Sequence, residues 1–221
     1  MAAAQVAAVY VAYFGRAPNP AGLDFWVSEL QTALAQGTDN NGTALADIAS
    51  AFASDTDPGE AIAQFPFLAE PESADAAVIE TFVTKVYQNL FNREPADAGL
   101  AYWREAVRDL IEGPGFVGNA IIDIVSGAQR SDAGDDRGAI RNKIEVGLDY
   151  ADAVVREGAA FELADDKSDA QDVIAGVTAD PASVASARDM VAERVAADAA
   201  ETAPAVTVQG TAPADEGDAL G

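Results

Sequence analysis

The sequence predicts an all-α protein, a multi-helix bundle built on two tandem helix–turn–helix repeats. Two observations carry this prediction: apolar residues recur with helical spacing along most of the chain, and one stretch of sequence occurs twice. Apolar residues make up 49% of the chain, and many of them are alanine, the residue with the strongest intrinsic preference for helix. No strand-like pattern is longer than the short Val-Thr-Val at 206–208, so we expect no sheet.

The duplication relates residues 9–30 to residues 86–107 at a constant offset of 77 positions. Both tryptophans of the chain, Trp26 and Trp103, fall at matched positions. The other matched pairs include Tyr10 with Tyr87, Phe14 with Phe91, Arg16 with Arg93, Pro18 with Pro95, and Gly22 with Gly99. Matches at this density predict two copies of one structural unit, in which the two tryptophans are buried at equivalent places.

Each copy contains signals for where its helices begin and end. The first helix is expected to end near Gly15 or Asn92, because Gly and Asn tolerate the left-handed conformation common at helix C-termini. A turn with proline follows, and Asn19-Pro20 has the pattern of an N-cap with proline at the first helical position. The glycine of the next triplet, Ala-Gly-Leu, is expected to let the two helices approach closely.

Helical spacing predicts further helices outside these motifs. They cover 43–54, the GEAIAQF segment, 73–91 with Ser73 as N-cap, 136–157, and a C-terminal helix with Asp180 as N-cap and Pro181 at its start. The predicted organisation is a first repeat unit at 1–72, a second at 73–135, C-terminal helices that pack on the repeats at 136–200, and a disordered tail or linker at 201–221.

Composition excludes several classes of function. The 37 acidic and 13 basic residues give a formal net charge of −24, which disfavours nucleic acid as a partner because phosphate binding needs positive charge. The chain has neither Cys nor His, so thiolate nucleophiles, Ser-His-Asp triads and Cys- or His-ligated metals are excluded. We therefore predict a protein that is not an enzyme, with a carboxylate-dependent glycan hydrolase as a third-ranked alternative. No apolar run approaches the roughly 20 residues that span a bilayer, so no transmembrane segment is expected.

The residues matched between the two copies have two readings. Arg16 and Arg93 are possible anion ligands, but we favour a structural role in which each guanidinium binds helix-end carbonyls and a nearby carboxylate. Tyr10 and Trp26, with their counterparts, are expected to belong to the core rather than to a platform on which sugars stack.

Clusters of acidic residues are candidate calcium sites, because a hard cation prefers several carboxylate oxygens. The predicted metal ligands are Asp55, Asp57 and Glu60 after the first repeat, and Asp132, Asp135 and Asp136 after the second. A third cluster contains Asp165, Asp166 and Asp169. The alternative is that all of them are ordinary helix-flanking residues of an acidic protein.

A small basic group beside the second acidic cluster is the candidate binding site for an anionic ligand. It consists of Arg137, Arg141 and Lys143. Guanidinium and ammonium groups bind phosphate, so one face could present carboxylates for calcium and basic groups for the phosphates of lipopolysaccharide.

The pattern Val-Tyr-x3-Phe-x-Arg-x-Pro-x3-Gly-Leu-x2-Trp, present twice, resembles the repeat of domain-of-unknown-function family 4214. The likeness covers roughly residues 5–195. Members of that family occur in bacterial surface-layer proteins and in secreted proteins with glycine-aspartate calcium repeats (RTX-type), although this sequence contains no GGxGxDxxx repeat.

The resemblance implies an exported protein at the cell surface. Its N-terminal helical part would hold a larger calcium-dependent body to lipopolysaccharide or another surface polysaccharide. Self-assembly into a lattice and export by a one-step, type I secretion system are further expectations. The alternative from a different class is an acidic helical adaptor or scaffold that binds a protein partner.

Overall fold

The computed structural model describes residues 1–37, 43–54, 59–113, 115–130 and 133–202. The protein is all-α, as predicted, and the described residues form ten α-helices and two short 3-10 helices without a strand. The α-helices are α1 (Ala2–Phe14), α2 (Pro20–Ala35), α3 (Thr43–Ser54), α4 (Glu60–Gln64), α5 (Ala76–Phe91), α6 (Asp97–Glu112), α7 (Val117–Ala128), α8 (Asp135–Glu157), α9 (Leu163–Ala175) and α10 (Pro181–Thr202). The 3-10 helices, Pro66–Ala69 and Pro71–Ser73, lie between α4 and α5.

The predicted duplication is visible in the order and packing of the helices. Helices α1, α2 and α3 of the first repeat correspond to α5, α6 and α7 of the second. Equivalent helices pack on each other, α1 on α5 and α3 on α7. Asn89 marks this relation, because its Nδ2 donates a hydrogen bond to the carbonyl of its own counterpart, Ala12, at 2.9 Å.

Helix α1 is the central element of the core. Every residue from Val6 to Phe14 is buried, because α1 contacts α2, α5, α7 and α8 on different sides. A helix enclosed in this way can be apolar all round, so the sequence of α1 lacks the polar stripe of a surface helix. Helices α3 and α7 approach closely at Gly118, where a Cβ atom would lie 2.6 Å from the backbone nitrogen of Ser50.

The helix ends test the predictions made from local sequence. Gly15 and Asn92 have φ values of 60° and 55°, so both predicted left-handed ends are confirmed. Asp180 caps α10 as predicted, since its Oδ1 accepts a hydrogen bond from Ala182 N at 2.9 Å. The prediction of Ser73 as the cap of α5 is wrong. That cap is Asp75, whose Oδ1 accepts from Val78 N at 2.9 Å, while Ser73 ends a 3-10 helix.

The C-terminal helices bring the two repeats together. Helix α8, with 23 residues, packs against α1, α2, α5 and α7, and α10 packs along α8. Helix α9 follows the loop 159–162 and packs on both α8 and α10. Within the described ranges, no helix has the length and apolar content of a membrane span. Most of the predicted tail, from residue 203 onward, lies outside these ranges.

Candidate functional site

Each repeat places an arginine over two aromatic rings, directly after the left-handed turn that ends its first helix. The Arg16 guanidinium carbon lies 5.1 Å from the ring centre of Tyr10 and 5.2 Å from that of Phe14. In the second repeat the guanidinium carbon of Arg93 lies 5.3 Å and 5.7 Å from the matching rings, those of Tyr87 and Phe91. These distances are those of cation–π contacts, so the duplication preserves an interaction as well as a sequence.

A carboxylate binds each guanidinium through two oxygens. Arg16 Nε and Nη2 donate to the Oε1 and Oε2 atoms of Glu60 at 3.0 Å and 2.7 Å. Arg93 Nε and Nη2 donate to the Oδ1 and Oδ2 atoms of Asp136 at 2.9 Å and 2.5 Å. The carboxylate partner that we predicted for each arginine is therefore confirmed. Glu60 lies in the first turn of α4 and Asp136 in the first turn of α8. Each is the fourth α-helix counted from the start of its repeat.

Each arginine also fixes the turn that follows it. The Nη1 atoms of Arg16 and Arg93 each donate at 2.9 Å to the carbonyl of the next residue, Ala17 and Glu94 respectively. The predicted carbonyl partner was the end of the preceding helix, and the observed one lies just beyond that end.

The two arginine–carboxylate pairs differ in their exposure to solvent. The side chains of Arg16 and Glu60 are only 3% and 4% exposed, whereas those of Arg93 and Asp136 are 46% and 22% exposed. The C-terminal part of the chain causes this difference. Phe161 lies 5.9 Å from the Arg16 guanidinium carbon, and Lys167 Nζ lies 3.3 Å from Glu60 Oε1.

The cleft around Arg16, which we call the first cleft, is a cavity of about 340 Å³ walled partly by Phe161 and Leu163. At the equivalent place in the second repeat, two neighbouring cavities of about 320 Å³ and 640 Å³ share Phe91 and Asp136 in their walls, and we call the two together the second cleft. Its lining includes Tyr87, Phe91, Arg93, Tyr102, Trp103 and Asp136.

The two tryptophans line these clefts at equivalent places, and both are half-buried where we predicted them to be buried. Trp103 Nε1 donates a hydrogen bond to Tyr87 Oη at 2.8 Å. Trp26 packs on Phe52 with ring centres 5.2 Å apart. Each indole therefore packs against the core while part of it remains exposed.

An exposed aromatic ring lies beside each tryptophan. Phe25 is 56% exposed and meets Trp26 edge-on, with ring centres 4.8 Å apart at 77°. Tyr102 is 64% exposed and meets Trp103 in the same way, at 4.9 Å and 76°. Phe25 and Tyr102 are themselves a matched pair of the duplication. Sequence reasoning did not single them out, although the shared offset was the available signal.

The basic group predicted to bind phosphate does not form one surface. Arg137 and Arg141 are exposed on α8, as a surface ligand site requires. Lys143 is 2% exposed, and its Nζ donates to the Asn89 carbonyl and to Asn92 Oδ1, both at 2.6 Å. Burial, with a smaller contribution from Lys85, lowers the pKa of Lys143 to about 8. The ammonium group holds the end of α5 in place and does not belong to the exposed face on which we predicted it.

The predicted calcium ligands lie partly outside the described residues, because Asp55, Asp57 and Asp132 are not among them. Glu60 and Asp136 already bind Arg16 and Arg93, while Asp135 is exposed beside the second pair. In the third cluster, Asp169 binds Arg194, and Asp166 accepts from Glu162 N at 2.6 Å. No group of three acidic residues arranged to hold a metal occurs in the described part of the chain. Calcium binding stays a prediction.

Comparison with protein families connects this geometry to a known domain. Residues 67–112 match the family model DUF4214, a domain of unknown function. The matched segment covers 46 of the 221 residues. It holds most of the second repeat's aromatic motif, including Tyr87, Arg93, Tyr102 and Trp103, whereas Asp136 lies beyond it. No curated protein and no solved structure is significantly similar to the chain.

Proposed function

We propose that this chain is a non-enzymatic anchoring module that binds a bacterial surface polysaccharide, with the polysaccharide of lipopolysaccharide as the first candidate. The observation that carries the proposal is the repeated exposed ring. In both repeats an aromatic side chain, Phe25 or Tyr102, stands in solvent against a half-buried tryptophan.

Single exposed apolar residues are common on protein surfaces and need no explanation. A large ring exposed at the same place in both copies of a duplicated unit is different, because an exposed helix position ordinarily carries a polar residue. Sugars present apolar C–H faces and polar edges at once. Aromatic rings with hydrogen-bonding groups beside them provide the matching combination of surfaces.

The resemblance described above supports the cellular setting of the proposal. A surface-layer or RTX-type protein exported by type I secretion would need a domain that holds it to the cell surface, and a helical module with aromatic clefts suits that task. Because the chain carries a net charge of −24, an anionic glycan would bind only through bridging cations, and calcium is the ion that we propose.

Binding to lipopolysaccharide and to its lipid-free polysaccharide, both purified from the bacterium that carries the gene, tests the proposal. We expect the wild-type chain to bind both in biolayer interferometry. We expect a Phe25→Ala/Tyr102→Ala double variant to bind at least about tenfold more weakly, which corresponds to about 1.4 kcal/mol.

Val155→Ala is a suitable control, because Val155 is an exposed apolar residue on α8 outside both clefts. It should bind like the wild type. A wild-type chain that binds neither glycan, or a double variant with unchanged affinity, would contradict the proposal.

A further inference from the structure

We infer that the second cleft is the saccharide-binding site of this chain, and that it takes a neutral sugar with two adjacent hydroxyl groups. This inference rests on the proposed function and specifies which of the two duplicated clefts carries it. The residues concerned are Arg93, Asp136, Tyr87, Phe91, Tyr102 and Trp103.

The first argument is the asymmetry between two otherwise equivalent clefts. In the first cleft the chain itself supplies an aromatic and an aliphatic side chain, Phe161 and Leu163, above the buried Arg16. The backbone of α9 also meets the turn there, since Ala17 N donates to the Ala170 carbonyl at 2.7 Å. The first cleft is thus part of the packing between repeat and C-terminal helices. The second cleft keeps the same aromatic and charged groups but leaves its arginine nearly half exposed.

The second argument is the remaining hydrogen-bonding capacity of the exposed pair. A guanidinium has five N–H donors in a fixed fork. Asp136 and the Glu94 carbonyl use three of those of Arg93, through Nε, Nη1 and Nη2. Two donors remain, and the Asp136 carboxylate retains unused lone pairs. Two neighbouring hydroxyl groups fit this pair, because one can accept from the guanidinium while the other donates to the carboxylate.

The third argument is that the aromatic part of the cleft is held in position before a ligand arrives. The Trp103–Tyr87 hydrogen bond fixes both rings relative to each other, and Tyr87 packs edge-on against Phe91 with ring centres 5.2 Å apart. Tyr102 extends this surface into solvent. A sugar placed with its hydroxyls on the Arg93–Asp136 pair would therefore meet ordered rings, and little conformational freedom would be lost on binding.

Charge decides between neutral and anionic sugars. The positive charge of Arg93 is matched by Asp136 at hydrogen-bonding distance, and the chain as a whole carries −24. The charged residues that line the second cleft are two arginines and three aspartates, Arg93, Arg130, Asp135, Asp136 and Asp180, so an anionic sugar would meet a net negative lining. A neutral sugar makes the same hydrogen bonds at no such cost.

The test uses calorimetry with the repeat-unit oligosaccharide, released by mild hydrolysis from the polysaccharide that binds the wild-type chain. We expect one oligosaccharide per chain and an affinity that changes by less than about twofold between 50 and 500 mM NaCl, because screening acts only on charged ligands. Tyr102→Ala and Arg93→Lys should each weaken binding at least about tenfold. Phe25→Ala, at the matched position of the first repeat, should weaken binding less than Tyr102→Ala does.

Arg188→Lys is the matched control for Arg93→Lys. Arg188 is also an arginine nearly half exposed on the surface, where it binds Asp149 and Glu145. It should leave the affinity unchanged. Two oligosaccharides per chain, or a loss of binding in Phe25→Ala but not in Tyr102→Ala, would overturn this inference while leaving the proposed function in place. A wild-type chain that binds no polysaccharide would overturn both.

Discussion

The two arginines of the duplicated motif provide a direct test of how burial changes the contribution of an ion pair to the free energy of unfolding. Arg16 and Arg93 hold matched positions of the duplication, and each lies over the same two matched rings and binds a carboxylate through two oxygens. They differ in exposure, at 3% against 46% of the side chain. Replacing each by alanine therefore compares one interaction in two environments.

Removing one partner of a buried ion pair costs about 3–5 kcal/mol, since the other charge is left in a medium of low dielectric constant. In Arg16→Ala the stranded charge is that of Glu60, and Lys167 at 3.3 Å would still offset part of it. We expect a loss of about 3 kcal/mol in the free energy of unfolding. An exposed pair contributes about 0–1 kcal/mol, so Arg93→Ala should cost no more than about 1 kcal/mol.

Urea unfolding followed by circular dichroism at 222 nm measures both values. An Arg16→Met/Glu60→Met double variant is the control, because removing both buried charges should destabilise less than Arg16→Ala alone. Equal losses in Arg16→Ala and Arg93→Ala would refute the claim that the covering by Phe161 and α9 makes the two sites different.

Three further outcomes follow from the described geometry. Gly22→Ala should be about 1–3 kcal/mol less stable than Gly99→Ala in thermal unfolding. A Cβ at Gly22 would lie 2.2 Å from the hydroxyl of buried Tyr10, whereas at Gly99 the nearest atom is 4.0 Å away. Equal stabilities of the two variants would contradict this expectation. Because the pKa of Lys143 is lowered in the folded protein, the unfolded chain binds more protons between pH 8 and 10.5. The stability of the wild type relative to Lys143→Met should therefore rise over that window by up to about 3 kcal/mol, as measured by urea unfolding at both pH values. A stability difference that falls with pH would contradict this expectation. Calcium titration should leave far-UV circular dichroism nearly unchanged while strengthening binding to intact lipopolysaccharide; an equal effect of magnesium would point to diffuse screening instead.

Local signals in the sequence were sufficient for much of the fold. The left-handed ends at Gly15 and Asn92, the start of α2 at Pro20 and the cap at Asp180 each depend on a few neighbouring residues, and each was predictable. The duplication was equally predictable from the sequence, because one offset shared by many residue pairs cannot arise from composition alone. Ser73 was misassigned because two capping residues, Ser73 and Asp75, lie close together and only the backbone of the preceding 3-10 helix decides between them.

Tertiary packing determined what the sequence could not provide. The residues shared by the two motifs do not reveal that Arg16 is buried and Arg93 exposed, because Phe161 and Lys167, which cover Arg16 and Glu60, lie more than 140 residues away from Arg16 in the chain. Lys143 resembled its exposed neighbours Arg137 and Arg141 because burial of a lysine depends on the acceptors it reaches, here Asn89 and Asn92 on another helix.

The aromatic pairs were hidden for a related reason. A tryptophan at helical spacing is usually core, and only the structure shows the half-buried indole and the exposed ring beside it. Phe25 and Tyr102 indicate a binding surface only because both are exposed at the matched position of their repeats, and neither position alone would indicate it.

Tryptophan fluorescence tests the central claim most directly, because the chain has two tryptophans and each lines one of the two clefts. Trp26→Phe leaves Trp103 as the reporter of the second cleft, and Trp103→Phe leaves Trp26 as the reporter of the first. We expect the repeat-unit oligosaccharide to shift and quench the emission of the Trp26→Phe protein, with the half-saturation found by calorimetry, and to leave the Trp103→Phe protein unchanged. A response from Trp26, or none from Trp103, would contradict the assignment of polysaccharide binding to the second cleft.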